Sequence, residues 1–132
     1  MSTFDDVLVK RSLSPAARTA TTNGVSVDRV VNGGMQDAVL VVTTGTITDG
    51  THTITLEDSA DDVTFAAVDA AQLQGTPPEI AAVDDDKVFE VGIRSTRQFL
   101  RVVATVAGAT SGGVYGATIA LASPRFSPVS RA

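Results

Sequence analysis

The sequence predicts an all-β protein, an antiparallel β-sandwich with the jelly roll among its forms, and three observations predict it. Apolar residues recur at every second position in several short runs, the pattern of strands with one buried face. The runs are separated by turn-forming breaks, among them Asn23-Gly24, Asp49-Gly50, Asp84-Asp85-Asp86 and Gly108 to Gly113. No segment carries a strong helical signal, which argues against a doubly wound fold.

Taken in order, residues 25–31 read as a short strand broken by Asn32-Gly33-Gly34. Residues 37–43 are strongly β, with Val39 and Val41 on one face and Ala38, Leu40 and Val42 on the other. Two apolar faces suit a central strand or one that meets a partner. Residues 51–57 alternate cleanly, His52, Ile54 and Leu56 against a threonine-rich side. Val63 to Val68 reads as a further strand with Val63, Phe65 and Ala67 on one side, and residues 67–74 as a helical turn or two, or an irregular excursion. Pro77 and Pro78 lack backbone donors and mark a bend, after which Ile80 to Val83 suits a sheet edge. In residues 87–93, Phe89, Val91 and Ile93 share a face. Residues 98–107 give the longest β signal, with Leu100, Val102, Ala104 and Val106 in phase. Residues 114–121 place Tyr115, Ala117, Ile119 and Leu121 together. Gln98 to Leu121 is expected to be a robust hairpin, and Phe65, Phe89 and Phe99 to join the core.

The 132 residues suit one domain, expected over residues 25–121. Residues 1–24 and 122–132 are expected to be arms, because they hold Pro, Ser and Thr and little alternation. Arms that order on a neighbour are common in assembly proteins. Four arm residues are therefore candidate partner contacts. Phe4 and Phe126 are isolated large apolar groups in polar surroundings, and Arg11 and Arg18 supply charge.

Composition narrows the chemistry. The chain has no cysteine and one histidine, so disulfides, thiolate sites and multi-histidine zinc sites within one chain are excluded. His52 reads first as a packed histidine, since no nucleophile motif accompanies it. The acidic runs at residues 57–62 and 84–86 lack the spacing of a calcium loop and read as solvated turns. The glycines at 108–116 lack the lysine of a phosphate loop. No enzymatic activity and no cofactor are expected. The net charge of −5 disfavours a specific nucleic-acid partner. Without a run of eighteen apolar residues or a signal-like start, neither a membrane partner nor secretion is expected.

Three segments together resemble a known group: RSLSPAARTATTNGVSVD at 11–28, GTITDGTHTITLEDSADDVTFAAVDAAQLQG at 45–75, and RQFLRVVATVAGATSGGVYGATIAL at 97–121. They resemble a family of small structural proteins encoded in the head-gene modules of tailed bacteriophages and prophages. The resemblance implies a virion structural protein, a decoration or cement protein that binds the phage major capsid protein on the capsid exterior after assembly in the host cytoplasm. It also implies self-association, with trimers common among such proteins, and no catalytic residues. Two alternatives stand beside it. One is a head–tail connector, tail-terminator or tail-tube component. The other is a carbohydrate- or receptor-binding module on the virion, which the 5% aromatic content disfavours.

Overall fold

The computed structural model describes residues 2–131. One short helix, α1 (Thr3–Asp6), opens the chain, with the Ser2 side chain accepting from the Asp5 N–H. Eleven strands follow among the described residues: β1 (Leu8–Arg18), β2 (Thr22–Asn23), β3 (Val27–Asp28), β4 (Met35–Ile47), β5 (Thr51–Ser59), β6 (Ala66–Ala67), β7 (Leu73–Gln74), β8 (Glu79–Ile80), β9 (Val88–Ile93), β10 (Phe99–Ala107) and β11 (Gly113–Pro124). They form two antiparallel sheets packed as a sandwich. The five-stranded sheet has the order β1-β11-β4-β9-β7. The six-stranded sheet has the order β2-β10-β5-β6, with β3 also on β10 and β8 also on β5.

The alternation in the sequence places the core correctly. Leu40, Val42, Val91, Tyr115, Ile119 and Leu121 face inward from one sheet, and Ile54, Leu56, Leu100 and Val102 from the other, each at most 2% exposed. Full burial of one such aliphatic side chain contributes about 1.5–3 kcal/mol. The phenylalanines are more peripheral than expected. Phe65, Phe89 and Phe99 are all half-buried, and the Arg101 guanidinium stacks on Phe65, 4.1 Å from the ring centroid.

The expected hairpin at Gln98–Leu121 does not form. β10 pairs with β5 in one sheet and β11 with β1 and β4 in the other, so the turn between them crosses the sandwich. β4 and β5 are likewise joined by a turn between sheets. Alternation determines which face of a run is buried. It does not say whether the next run lies beside it or across the core. The two crossings are laced together, since Thr48 and Asp49 donate N–H to the Gly112 carbonyl at 2.9 and 3.2 Å. Gly112 has φ +78°, and a Cβ there would lie 2.0 Å from the Arg18 carbonyl oxygen, so only glycine fits.

Residues 1–24 do not form a free arm. β1 pairs along β11 from Leu8↔Leu121 to Arg18↔Gly113, and Leu8, Ser12, Leu13 and Arg18 are buried. Register shifts between Arg11 and Leu13 and between Leu13 and Ala16 break the alternation, which hides this edge strand from a period-2 reading. The chain then steps to the other sheet. The Ser12 Oγ donates to the Val25 carbonyl at 2.8 Å and accepts from the Val102 N–H at 2.9 Å. Gly24 passes so close that a Cβ would lie 2.6 Å from the Val102 carbonyl oxygen.

Residues 122–132 are not a free arm either. β11 continues to Pro124, and the tail returns to the body. Arg125 and Phe126 donate N–H to the Gly34 and Gly33 carbonyls, Val129 donates to Asp5, and the Val129 side chain is buried. Met1 and Ala132, the outermost positions of the two expected arms, lie outside the described residues.

On the opposite side of the sandwich, residues 66–74 cross from β6, paired with β5, to β7, paired with β9. The strand expected at Val63–Val68 shrinks to Ala66–Ala67 and leaves Val63 80% exposed. The helical turn expected within 67–74 is a 3-10 turn at Ala70–Gln72, capped by the Asp69 carboxylate.

Candidate partner-binding face

The two sheets turn unlike faces to solvent. On the six-stranded sheet, the side of β5 that faces outward carries Thr51, Thr53, Thr55 and Glu57, opposite Ala107, Thr105, Val103 and Arg101 of β10, of which Val103 is buried. The five-stranded sheet is the more apolar of the two on its outside. Its register sets Val9, Ala120, Val39 and Gly92 in one row across the strands. Arg11, Thr118, Val41 and Glu90 form the next row, and Gly116, Thr43 and Val88 the next. The middle of this face is built from small or β-branched groups and ends in Arg11 on one edge and Glu90 on the other. Where β1 bulges, a cleft of about 320 Å³ opens, lined by Arg11, Pro15, Val41, Gly45, Val114 and Gly116 among others. A shallow apolar cleft with a charged rim suits an inserted side chain or an apposed protein surface.

The structure separates the four residues expected to contact partners. Arg11 is exposed on the rim of the cleft. Phe4 and Phe126 are 69% and 74% exposed and lie at the end where the termini meet. There Ser127 Oγ donates to the Asp6 carboxylate at 2.7 Å, and the Arg131 guanidinium stacks on Phe4, 3.8 Å from the ring centroid. Arg18 is a different case, being 7% exposed and turned inward. Its guanidinium donates to the Tyr115 and Ser14 carbonyls at 2.6 Å each and to Ala16 at 3.0 Å. With its guanidinium buried and donating to three backbone carbonyls of β1 and β11, Arg18 is an internal brace and not a partner contact. Sequence reasoning passed over Val114, Thr118 and Ala120, which line the outer face. The apolar second face of 37–43 was their one signal.

His52 is also internal. It is fully buried, its Nε2 lies 3.0 Å from the Asp49 carbonyl and its Nδ1 2.9 Å from the Tyr115 hydroxyl. A carbonyl only accepts, so Nε2 carries the hydrogen and Nδ1 accepts from the tyrosine O–H. Both ring nitrogens are thus occupied in the core, by the Tyr115 hydroxyl and the Asp49 carbonyl, and among the described residues no serine or carboxylate side chain bonds to the ring. Burial pushes the Tyr115 phenol up to about 12, against a smaller opposing effect of Arg18.

The acidic turns hold backbone. The Asp49 carboxylate accepts from the N–H groups of Gly112, Ser111 and Thr110, which hold it below the usual carboxylate range. Asp61 accepts from Thr64, Val63 and the Ser59 hydroxyl, with the same consequence. These carboxylates close turns on their own chain, and no group of three or more metal-ligating side chains gathers among the described residues.

No protein-family model matches the chain, and no curated protein matches it. Among solved structures, the chain is weakly similar in fold, over most of its length, to viral proteins. One is a chain in the structure of infectious bursal disease virus, Gt strain, with a TM-score of 0.38 and 14% identity. The likeness covers 93% of this chain and 34% of that one. The Gx strain gives a TM-score of 0.37 with the same identity and coverage. The chain therefore spans about a third of the length of the structures it matches.

Proposed function

We propose that this chain is a structural protein of a tailed-phage virion that decorates and stabilises the capsid shell. In this reading the outer face of the five-stranded sheet docks on capsomers of the major capsid protein. The observation that carries the reading is the contrast between the sheets: one turns mainly threonines to water, while the other leaves valines and small residues, with Thr43 and Thr118 among them, and a cleft of about 320 Å³ uncovered. A β-sandwich laced at both lateral sides is stiff, so docking costs little ordering entropy. Many copies on a symmetric lattice reinforce one another, and a shell that expands must break these contacts too. The sequence resemblance to phage head-module proteins supports the placement.

A single-particle reconstruction of virions, with mass-spectrometric counting of this chain, tests the proposal. Copies spread over the outside of the shell, with the five-stranded sheet turned toward capsomers, are the expected result. A single ring at the head–tail vertex would replace decoration with a connector or tail role. Absence from virions would end both readings.

A further inference from the structure

The five-stranded sheet has two edges, and neither is fully closed. On β1, Leu8 to Arg11 pair with β11 on one side only. The adjoining loop hydrogen-bonds to the other side only at Ser12, whose carbonyl accepts the Val25 N–H at 2.7 Å, and it stands across an open groove from Lys10 and Arg11. On β9, Val88 to Val91 pair with β4 alone, and β7 covers the strand only at Gly92 and Ile93. Each edge thus leaves a four-residue run of backbone whose outward N–H and C=O groups have no protein partner among the described residues. Open edges of this kind are sites for strand addition.

The edges are complementary in direction, face and charge. β1 is antiparallel to β11, β11 to β4, and β4 to β9, so β9 runs opposite to β1. Copies set side by side in the same orientation therefore meet as antiparallel strands. When the two open runs overlap fully, Leu8 faces Val91, Val9 faces Glu90, Lys10 faces Phe89 and Arg11 faces Val88. That register keeps Leu8 and Val91 on the core side and Val9, Arg11, Val88 and Glu90 on the outer side, as each already lies in its own sheet. Val9 and Val88 are 59% and 63% exposed and become diagonal neighbours across the seam. So do Arg11 and Glu90, at a spacing that long side chains bridge. Neither Arg11 nor Glu90 has an ion-pair partner within the chain among the described residues. The charge follows the same axis. Residues 61–90, which form the β9 side, hold eight acidic residues and one basic residue, a net charge of −7, and the remainder of the chain carries +2.

We propose that copies of this chain associate head to tail through the sheet edges, β1 of one copy pairing antiparallel with β9 of the next and Arg11 meeting Glu90 across the seam. Such contacts are heterologous, so they close into a ring or run on as a chain, according to the rotation between copies. The proposal concerns the purified chain and stands apart from the shell-docking reading; either can fail alone.

Sedimentation velocity over a concentration series tests it, with Arg11→Glu, Glu90→Arg and the double variant. Each single variant places like charges at the seam and is expected to weaken self-association ~10-fold or more. The double variant restores it. Mixing the two single variants also restores association, with the variants alternating, because every seam then sets opposite charges at positions 11 and 90. Both positions are exposed, and unchanged melting temperatures confirm that the variants fold. A chain that stays monomeric at every concentration overturns the proposal. So does association that ignores the single variants, or a double variant that does not recover.

Discussion

At the scale of single residues, the groups that resemble chemistry are mostly spent on architecture. Tyr115 is the only tyrosine, so its titration can be read directly by phenolate absorbance. Its midpoint is expected near 12 in the folded chain and near the unperturbed value of about 10 in denaturant. The folded value is raised, so its share of stability is complete below about pH 10 and is lost as the pH climbs toward 12. Replacing Tyr115 by Phe removes the donor to the buried His52 Nδ1, and denaturant unfolding should show a loss of about 1–3 kcal/mol. Asp49 behaves in the opposite sense. Its folded value is lowered, so its contribution is present above about pH 4 and fades as the pH falls through the folded value. Asp49→Asn should therefore melt lower than the parent at neutral pH, with the gap narrowing in acid. A gap that stays constant with pH would remove the carboxylate from the account.

At the scale of elements, β1 decides how the sandwich is closed. Its bulge turns Ser12 inward to bridge Val25 and Val102, which belong to the other side of the crossing. Ser12 is 1% exposed, so Ser12→Ala strands the buried Val102 N–H and removes the donor to the Val25 carbonyl. The expected cost is about 1–3 kcal/mol, measured by chemical denaturation. The loss should exceed that of Ser14→Ala, an exposed neighbour on the same strand. Equal effects would mean that the bridge does not fasten the sheets. The same strand shows why its identity was hard to read. RSLSPAAR has one large apolar residue and a proline, and register shifts spoil its period. What makes it a strand is β11, more than ninety positions away in sequence, offering a ladder of backbone partners.

At the scale of the whole molecule, asymmetry is the useful property. One outer face is the more polar and the other the more apolar, and the β9 side carries most of the negative charge. Val41 lies in the middle of the apolar face and is half-buried, while its neighbours Leu40 and Val42 fill the core. Val41→Lys, which sets a cation opposite Glu90, should fold and melt nearly as the parent does and lose binding to purified shells by ~10-fold or more. Thr53→Glu, on the opposite sheet, should bind as the parent does. Loss in both variants, or in neither, would separate the apolar face from docking.

The sequence by itself determined the class of fold, the inward faces of β4, β5, β10 and β11, and the composition that excludes thiolate chemistry. These are local properties, since side-chain alternation and turn residues act over a few positions. Only the tertiary structure decided which strands are neighbours, that Leu8–Arg18 and the C-terminal tail belong to the body, that Arg18 points inward, and that the buried His52 pairs with Tyr115. It also joined Arg11 and Glu90, 79 positions apart, into one row across a sheet. Those outcomes depend on backbone partners and carbonyls supplied from far along the chain, and no local pattern encodes them.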